Sequence, residues 1–302
     1  MNRTKNLFYA VLLTLMGIGP VNAALRLVAT TPDMADVTRQ IGGDWVTVES
    51  LAKGTEDIHA VPQRPSFVPK LNRADGVVLI GLEAEHAFLP ALLDVAQNSK
   101  ILRGRQGDID CSKYVVPLDV PTVVSRAEGE QHPFGNPHYN FDPRQGEHIA
   151  DAIVEGLSRL DPAHRSVYAA NGDAFKKNLA GKMKEWAALA APIKGKKAIS
   201  HHPDMSYFAE YLGLELVDTV ELKAGIPPTP KHLETLVQEM REQKVPLIIH
   251  EIQYPRDTAE WLAGQTGAKI ADIATMGGAF PDSGTYFGMI EHNIRAVCDA
   301  LK

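Results

Sequence analysis

The stretch that organises this chain lies near its middle and reads Gly135-Asn136-Pro137-His138-Tyr139-Asn140-Phe141-Asp142-Pro143. Each proline moves the residue before it out of the helical region of backbone conformation. Asp142 is therefore placed as a helix N-cap, with Pro143 in the first helical position. His138 lies between the two prolines. It either faces the gap between the flanking halves of the chain, a usual place for a ligand, or is a loop residue bonded to a backbone carbonyl.

Strand and helix patterns alternate on both sides of this stretch. The predicted strands of the first unit are residues 25–30, 46–51, 76–81 and 100–102. Those of the second unit are residues 196–200, 214–220, 245–251 and 268–272. Between the units, residues 163–190 have helical spacing and would form a helix about 40 Å long. This order predicts an α/β protein with parallel sheets flanked by helices, and residues 104–137 are predicted to be mostly loop.

The first 23 residues have the layout of a secretory signal peptide. A positively charged start is followed by an apolar run at residues 7–19 and by small residues before a cleavage site at residue 23. The run is shorter than the roughly 20 residues of a membrane span. We expect the mature chain to begin at residue 24 or 25 in the periplasm. No cysteine lies near the cleavage site, so we expect no lipid anchor.

The charge of the chain argues against polyanionic partners. Its 302 residues carry a formal net charge of −6, and loss of Arg3 and Lys5 would leave 29 basic against 37 acidic residues, a charge of −8. A mildly acidic secreted protein is a poor candidate for binding nucleic acid or anionic lipid. The mature length suits two domains. An oxidising compartment permits a disulfide between Cys111 and Cys298, and the sequence leaves open whether it forms.

Four residues with metal-ligating side chains follow predicted strands or lie at the exit of the first unit. They are His59, His138, His202 and Asp272. In open α/β sheets the ligand crevice lies beyond the carboxyl ends of the strands, so these side chains are able to converge between the halves. Three imidazoles and a carboxylate suit Zn²⁺, whereas Mn²⁺ prefers more oxygen. Glu251 is the substitute for Asp272, and the alternative is a scatter of structural or solvated histidines.

Several motifs occur in a characteristic order along the mature chain. They are Asp57-Ile58-His59, Asn136-Pro137-His138-Tyr139, His202 six residues before Phe208, Ile226-Pro227-Pro228-Thr229-Pro230 and Gly284-Thr285-Tyr286-Phe287-Gly288-Met289. With these motifs the chain resembles, from end to end, the periplasmic metal-binding solute-binding proteins of ABC importers for zinc and manganese. Within them it is most similar to the zinc branch of the cluster A-I family.

The resemblance implies a fold and a biological role. It implies an N-terminal lobe at residues 24–143, linking helices at residues 144–191 and a C-terminal lobe at residues 192–302, so that one long rigid helix ties two α/β lobes. The metal is held between the lobes and handed to a membrane permease of an ABC transporter. The resemblance also implies a monomer, with a periplasmic zinc chaperone as a further partner.

The resemblance also carries over individual ligands. His59, His138 and His202 match the histidine ligands of the family, and Asp272 follows the final strand, where the family often has its carboxylate. Zinc members often carry a long histidine-rich acidic loop in the first lobe. Here residues 125–133 are short and contain only His132, so the sequence gives no support for a metal-collecting loop.

The expected function is high-affinity binding of Zn²⁺, as transported cargo, for delivery to a permease. The first alternative is the same role with Mn²⁺. The second is an exported zinc hydrolase, which needs an open coordination position and a nearby base such as Glu56, Asp57 or Glu251. The third is a surface adhesin of the same fold.

Overall fold

The computed structural model of the protein describes residues 24–123 and 132–302. The strands of the first half are β1 (Leu25–Ala29), β2 (Val46–Ser50), β3 (Gly76–Leu79) and β4 (Asp108–Asp110). They form one parallel sheet in the order β2-β1-β3-β4. The helices that join these strands are α1 (Pro32–Gly42), α2 (Phe67–Arg73) and α3 (Leu89–Ala96). The predicted signal peptide, residues 1–23, lies outside the described residues.

The second half repeats the arrangement. Its strands are β5 (Lys197–Ser200), β6 (Glu215–Thr219), β7 (Leu247–Glu251) and β8 (Lys269–Ile273), which pair in parallel in the order β6-β5-β7-β8. Its helices are α6 (Ser206–Leu212), α7 (Pro230–Glu242), α8 (Asp257–Thr266) and α9 (Tyr286–Ala300). Every residue of β7 is buried, as expected for a strand covered on both faces.

Two consecutive helices connect the sheets. Asp142 accepts a hydrogen bond from the backbone N–H of Arg144 (2.8 Å) and so caps the turn that leads into α4 (Gly146–Leu160), as its position before a proline predicts. The next helix, α5 (Arg165–Ala190), has 26 residues and is about 39 Å long. It packs against α1, α4 and α9. The predicted fold class, two parallel-sheet lobes joined by a long helix, is confirmed.

The prediction of a strand at residues 100–102 is wrong. This segment contains a single 3₁₀ turn, Ser99–Ile101, in which the Asn98 side chain accepts a hydrogen bond from the N–H of Lys100 (3.2 Å). The fourth strand is instead β4, inside the segment predicted to be loop. It has three residues, and only the central Ile109 is buried between two acids. A strand this short has no apolar run by which sequence patterning could detect it.

The stretch around His138 also joins the two halves. The Tyr207 hydroxyl, on α6, donates to the carbonyl of Asn136 (3.1 Å) and accepts from the N–H of Leu118 (2.9 Å). The Asn140 side chain donates to the carbonyl of Thr275 beyond β8 (3.3 Å). These bonds hold the loop that contains His138 against the second half, at the carboxyl ends of both sheets.

Cys111 and Cys298 are both buried and free, so the disulfide that the compartment permits is not formed in this structure. Over residues 24–123 and 132–302, no helix has both the length and the apolar character that crossing a membrane requires.

Candidate metal centre

A small cavity lies between the two halves of the chain. Three histidines line it, His59 and His138 from the first half and His202 from the second. Its volume is about 10 Å³, which is the space that one water-sized sphere needs. The cavity is therefore of a size for a single ion, and a more open cavity of about 160 Å³ adjoins it at His138 and His202.

His59 is oriented by its own turn. The side chain of Asp57 accepts a hydrogen bond from the N–H of His59 (2.8 Å) and caps the 3₁₀ turn Ile58–Ala60. On the ring, Nδ1 lies 3.2 Å from the carbonyl oxygen of Ala84, so Nδ1 is the nitrogen that donates a proton. The other nitrogen, Nε2, is left to present its lone pair toward the cavity.

His138 meets His59 from the opposite side of the cavity. The two Nε2 atoms are 3.0 Å apart. Two nitrogens that ligate one tetrahedral Zn²⁺ at 2.0–2.1 Å would lie about 3.3 Å apart, close to this separation. The Asn136 side chain accepts from the N–H of His138 (3.0 Å), and the Phe141 ring stacks on the imidazole. The backbone and the ring are thus both held in place.

His202 comes from the loop after β5 and lines the same cavity. Its Nδ1 donates to Oε2 of Glu221 (2.8 Å), an arrangement that fixes the tautomer and strengthens Nε2 as a ligand. Its ring centroid lies 5.9 Å from that of His59 and 5.8 Å from that of His138. The adjacent His201 does not line the cavity, and its ring stacks on Tyr254 at 4.2 Å.

The protonation of these histidines differs. Burial, together with the charges of neighbouring histidines, lowers the pKa of His59 and His138 well below the ordinary value. Burial also lowers the pKa of His202, but the hydrogen bond and charge of Glu221 outweigh it, so this pKa is raised. At neutral pH, His59 and His138 are therefore neutral and ready to bind a cation, while His202 retains its proton more strongly.

The two carboxylates predicted as fourth ligand do not line the cavity. Asp272 lies within β8, opposite His250 of β7, and its Oδ1 accepts from His250 Nδ1 (2.8 Å) and pairs with the Arg256 guanidinium. The strand runs on to Ile273, one residue past the predicted strand end. The residues of this connection that reach the cavity are Thr275 and Met276. The structure does not bring Asp272 to the three histidines.

Glu251 lies behind the site and holds its backbone. Its two carboxylate oxygens accept hydrogen bonds from the N–H groups of His201 (3.1 Å) and His202 (3.2 Å). The acids that do line the cavity are Asp57 and Asp204. Burial and repulsion by Glu251 raise the pKa of Asp204 well above its ordinary value.

His132 is a further histidine near His59 and His138, which the sequence did not predict as a ligand. One ligand atom each of His59, His132 and His138 lies within 4.8 Å of the others. Burial and the charges of His86 and His202 lower the pKa of His132 to about 4, so it too is neutral at pH 7. A histidine six residues before His138 is the one sequence signal that points to this position.

Comparison with known proteins identifies the family. The sequence matches the family described as "Zinc-uptake complex component A periplasmic", ZnuA, over residues 27–300. The chain belongs to the ZnuA family. Proteins of the ZnuA family are substrate-binding components of metal ABC transporters that work outside the cytoplasm.

Curated relatives of this ZnuA-family chain have names that refer to different metals. The High-affinity zinc uptake system protein ZnuA of Paracoccus denitrificans is 25% identical, covering 91% of this chain and 91% of that protein. The Manganese ABC transporter substrate-binding lipoprotein PsaA of Streptococcus pneumoniae is 22% identical, covering 92% and 89%. The Metal ABC transporter substrate-binding lipoprotein ScbA of Streptococcus cristatus is 24% identical, covering 93% and 90%.

Solved structures agree on the ZnuA fold. A crystal structure of ZnuA superposes with a TM-score of 0.78 at 24% identity, over 92% of this chain and 100% of that one. A manganese-bound periplasmic metal binding protein from Candidatus Liberibacter asiaticus gives 0.75 at 18% identity, over 91% and 99%. Since the same fold occurs with either metal, membership of the ZnuA family does not by itself distinguish zinc from manganese.

Proposed function

We propose that this protein is the zinc-binding component of an ABC importer, which captures Zn²⁺ in the periplasm and delivers it to the membrane permease. The observation that carries the proposal is the convergence of three imidazoles on one ion-sized cavity. His59, His138 and His202 are the proposed histidine ligands. Imidazole nitrogen suits Zn²⁺, whereas Mn²⁺ favours carboxylate and carbonyl oxygen.

The proposal extends to the export, the lobes, the oligomeric state and the partners of the protein. Residues 1–23 would act as a cleavable signal peptide, and residues 24–143 and 192–302 would be the two lobes that close on the ion. We propose that the protein acts as a monomer, with the permease and a periplasmic zinc chaperone as partners. The alternative of an exported zinc hydrolase is disfavoured, because the chain matches a family of zinc-uptake components over residues 27–300.

An uptake experiment tests the role in the cell. Deleting the gene in its native cell is expected to lower uptake of radioactive zinc from zinc-limited medium and to leave manganese uptake unchanged. The wild-type gene should restore zinc uptake, and a His59→Ala/His138→Ala gene should not. Loss of manganese uptake with normal zinc uptake would reassign the cargo to Mn²⁺.

We expect zinc affinity to fall as pH decreases, because one of the three histidines, His202, becomes protonated in this pH range. Zn²⁺ needs a neutral imidazole and competes with the proton on His202, whose pKa is raised. His59 and His138 have lowered pKa values and do not compete with protons until far more acidic pH. Between pH 8 and pH 6 the affinity should therefore drop by at most about tenfold per pH unit, measured by chelator competition.

The Glu221→Gln variant is the control for this pH dependence. It removes the carboxylate that raises the pKa of His202, so the fall in affinity should begin at lower pH than in the wild type. A slope of two or three protons in the wild type, or the same onset in both proteins, would contradict the assignment to His202.

A further inference from the structure

A fourth histidine lies at the open side of the proposed metal site. His132 lines the cavity of about 160 Å³ that adjoins the small inner cavity, and His138 and His202 line both cavities. An ion held in the inner cavity would therefore have His132 on the side that leads outward. The family resemblance assigns no role to His132, since the carboxylates expected as fourth ligand were Asp272 and Glu251.

The distances from His132 to two of the proposed ligands are short enough for one ion to be shared. One ligand atom each of His59, His132 and His138 lies within 4.8 Å of the others. The ring centroid of His132 is 4.7 Å from that of His59 and 6.4 Å from that of His138. The centroids of the three proposed ligands are 5.0–5.9 Å apart. Imidazoles on one tetrahedral Zn²⁺ have centroids roughly 5 Å apart, so His132 fits the same arrangement.

The backbone of His132 is fixed by the stretch that contains His138. The carbonyl of His132 accepts a hydrogen bond from the N–H of Gly135 (3.0 Å), which closes a tight turn between the two histidines. Gly135 has a φ of 107°, a conformation that glycine adopts without steric cost. Pro133 restricts the backbone of His132 to extended conformations. The turn therefore holds His132 beside the loop that carries His138.

The side chain of His132 has a nitrogen without a hydrogen-bond partner. Over residues 24–123 and 132–302, its Nδ1 is buried and forms no hydrogen bond. In His59 and His202, by comparison, Nδ1 is bonded to the carbonyl of Ala84 and to Glu221. Buried polar atoms in native proteins normally have a partner, so an exception is expected where a bound ion supplies the missing interaction.

We propose that His132 is the fourth ligand of the transported cation, so that four imidazole nitrogens close around it. This inference rests on the proposed function, because it presumes that Zn²⁺ enters the inner cavity. Within the described ranges, the group of close ligand atoms that contains His132 includes histidines and no acid. A closed set of four ligands is the arrangement in which proteins hold Zn²⁺ without leaving a position for a substrate. His132 thereby takes the place of the carboxylate that the resemblance predicts at Asp272.

Zinc affinity of two alanine variants tests the proposal. In the metal-stripped mature protein, His132→Ala is expected to weaken Zn²⁺ binding by more than about 100-fold, beyond the 10–100-fold range for residues that only support a ligand. His86→Ala is the matched control. The His86 ring is 5.9 Å from the rings of both His59 and His132, but its Nδ1 lies 3.0 Å from the carbonyl oxygen of Glu83. We expect this variant to lose less than about tenfold.

Two outcomes of this titration would overturn the proposal. Zinc affinity of His132→Ala within about tenfold of the wild type would show that His132 is not a ligand. Equal losses in His132→Ala and His86→Ala would show a general effect of removing an imidazole from this surface. The proposed function itself fails in a different way, since in that case the wild-type protein would not bind zinc at all.

Added imidazole distinguishes a lost ligand from a damaged fold. His132 lines an open cavity of about 160 Å³, so a free imidazole molecule is able to occupy the place of the deleted ring. Millimolar imidazole should therefore strengthen zinc binding by His132→Ala relative to His86→Ala in the same buffer, where both proteins compete equally with imidazole for free zinc. A ratio of the two affinities that imidazole leaves unchanged would overturn the proposal.

Discussion

Replacing His202 by alanine is expected to weaken zinc binding by about a thousandfold or more, whereas replacing the adjacent His201 should cost at most about 10–100-fold. His202 lines the cavity and is held by Glu221 through its Nδ1, so its Nε2 is presented to the ion. His201 stacks on Tyr254 and supports the wall from behind. Competition of each metal-stripped variant against a zinc chelator measures the two affinities.

The His201→Ala and His202→Ala variants are matched controls for each other. They differ by one position, carry the same side chain and both donate a backbone N–H to Glu251, so general effects of the substitution are shared. A His201→Ala protein that loses zinc while His202→Ala retains it would mean that the third ligand is His201. Circular dichroism of both variants should be that of the wild type.

Replacing Gly54 by alanine should destabilise the protein by about 1–3 kcal/mol, the range for overpacked contacts. Gly54 lies in the loop before His59, where the first half meets the loop after Met276. A Cβ atom there would lie 2.4 Å from the carbonyl oxygen of Gly277 and 2.4 Å from the nitrogen of Ala279. Both are backbone atoms that cannot rotate away, so the two halves must separate. Chemical denaturation measures the change in the free energy of unfolding.

Gly181→Ala is the control for this effect. Gly181 lies inside α5, and a Cβ atom there would have nothing within 4 Å. The same chemical change should therefore stabilise the protein by about 0.5–1 kcal/mol, because alanine loses less conformational entropy in a helix. If both alanine variants shift stability by the same amount, the close approach at Gly54 does not constrain the halves.

Sequence patterning was sufficient to predict the fold where burial is continuous along an element. The apolar runs of β3 and β7 identified strands covered on both faces, and the helical spacing of residues 163–190 identified α5. Sequence patterning was insufficient for β4. This strand has three residues that pair only with β3, too few to show a repeating pattern of apolar side chains. The pairing partner is a property of the tertiary structure and leaves no local signal.

The candidate site, too, has residues that the sequence could predict and residues that it could not. The three histidines lie in loops at the carboxyl ends of strands, and topology alone brings such loops together. The prediction of Asp272 as the carboxylate ligand depended on where β8 ends. The strand extends one residue further than predicted, so Asp272 lies inside it rather than in the loop that follows. The burial of Asp204 and the approach of His132 result from contacts between distant segments, which spacing along the chain does not record.

The central claim, that this is a zinc-binding rather than a manganese-binding component, is tested most directly by calorimetric competition on the metal-stripped mature protein. We expect one Zn²⁺ per chain and Mn²⁺ binding weaker by orders of magnitude, since the proposed site supplies three imidazoles. Tight Cu²⁺ binding would be compatible with it, because Cu²⁺ outranks Zn²⁺ at most nitrogen sites. Mn²⁺ binding as tight as Zn²⁺ binding, or two or more Zn²⁺ per chain, would contradict it.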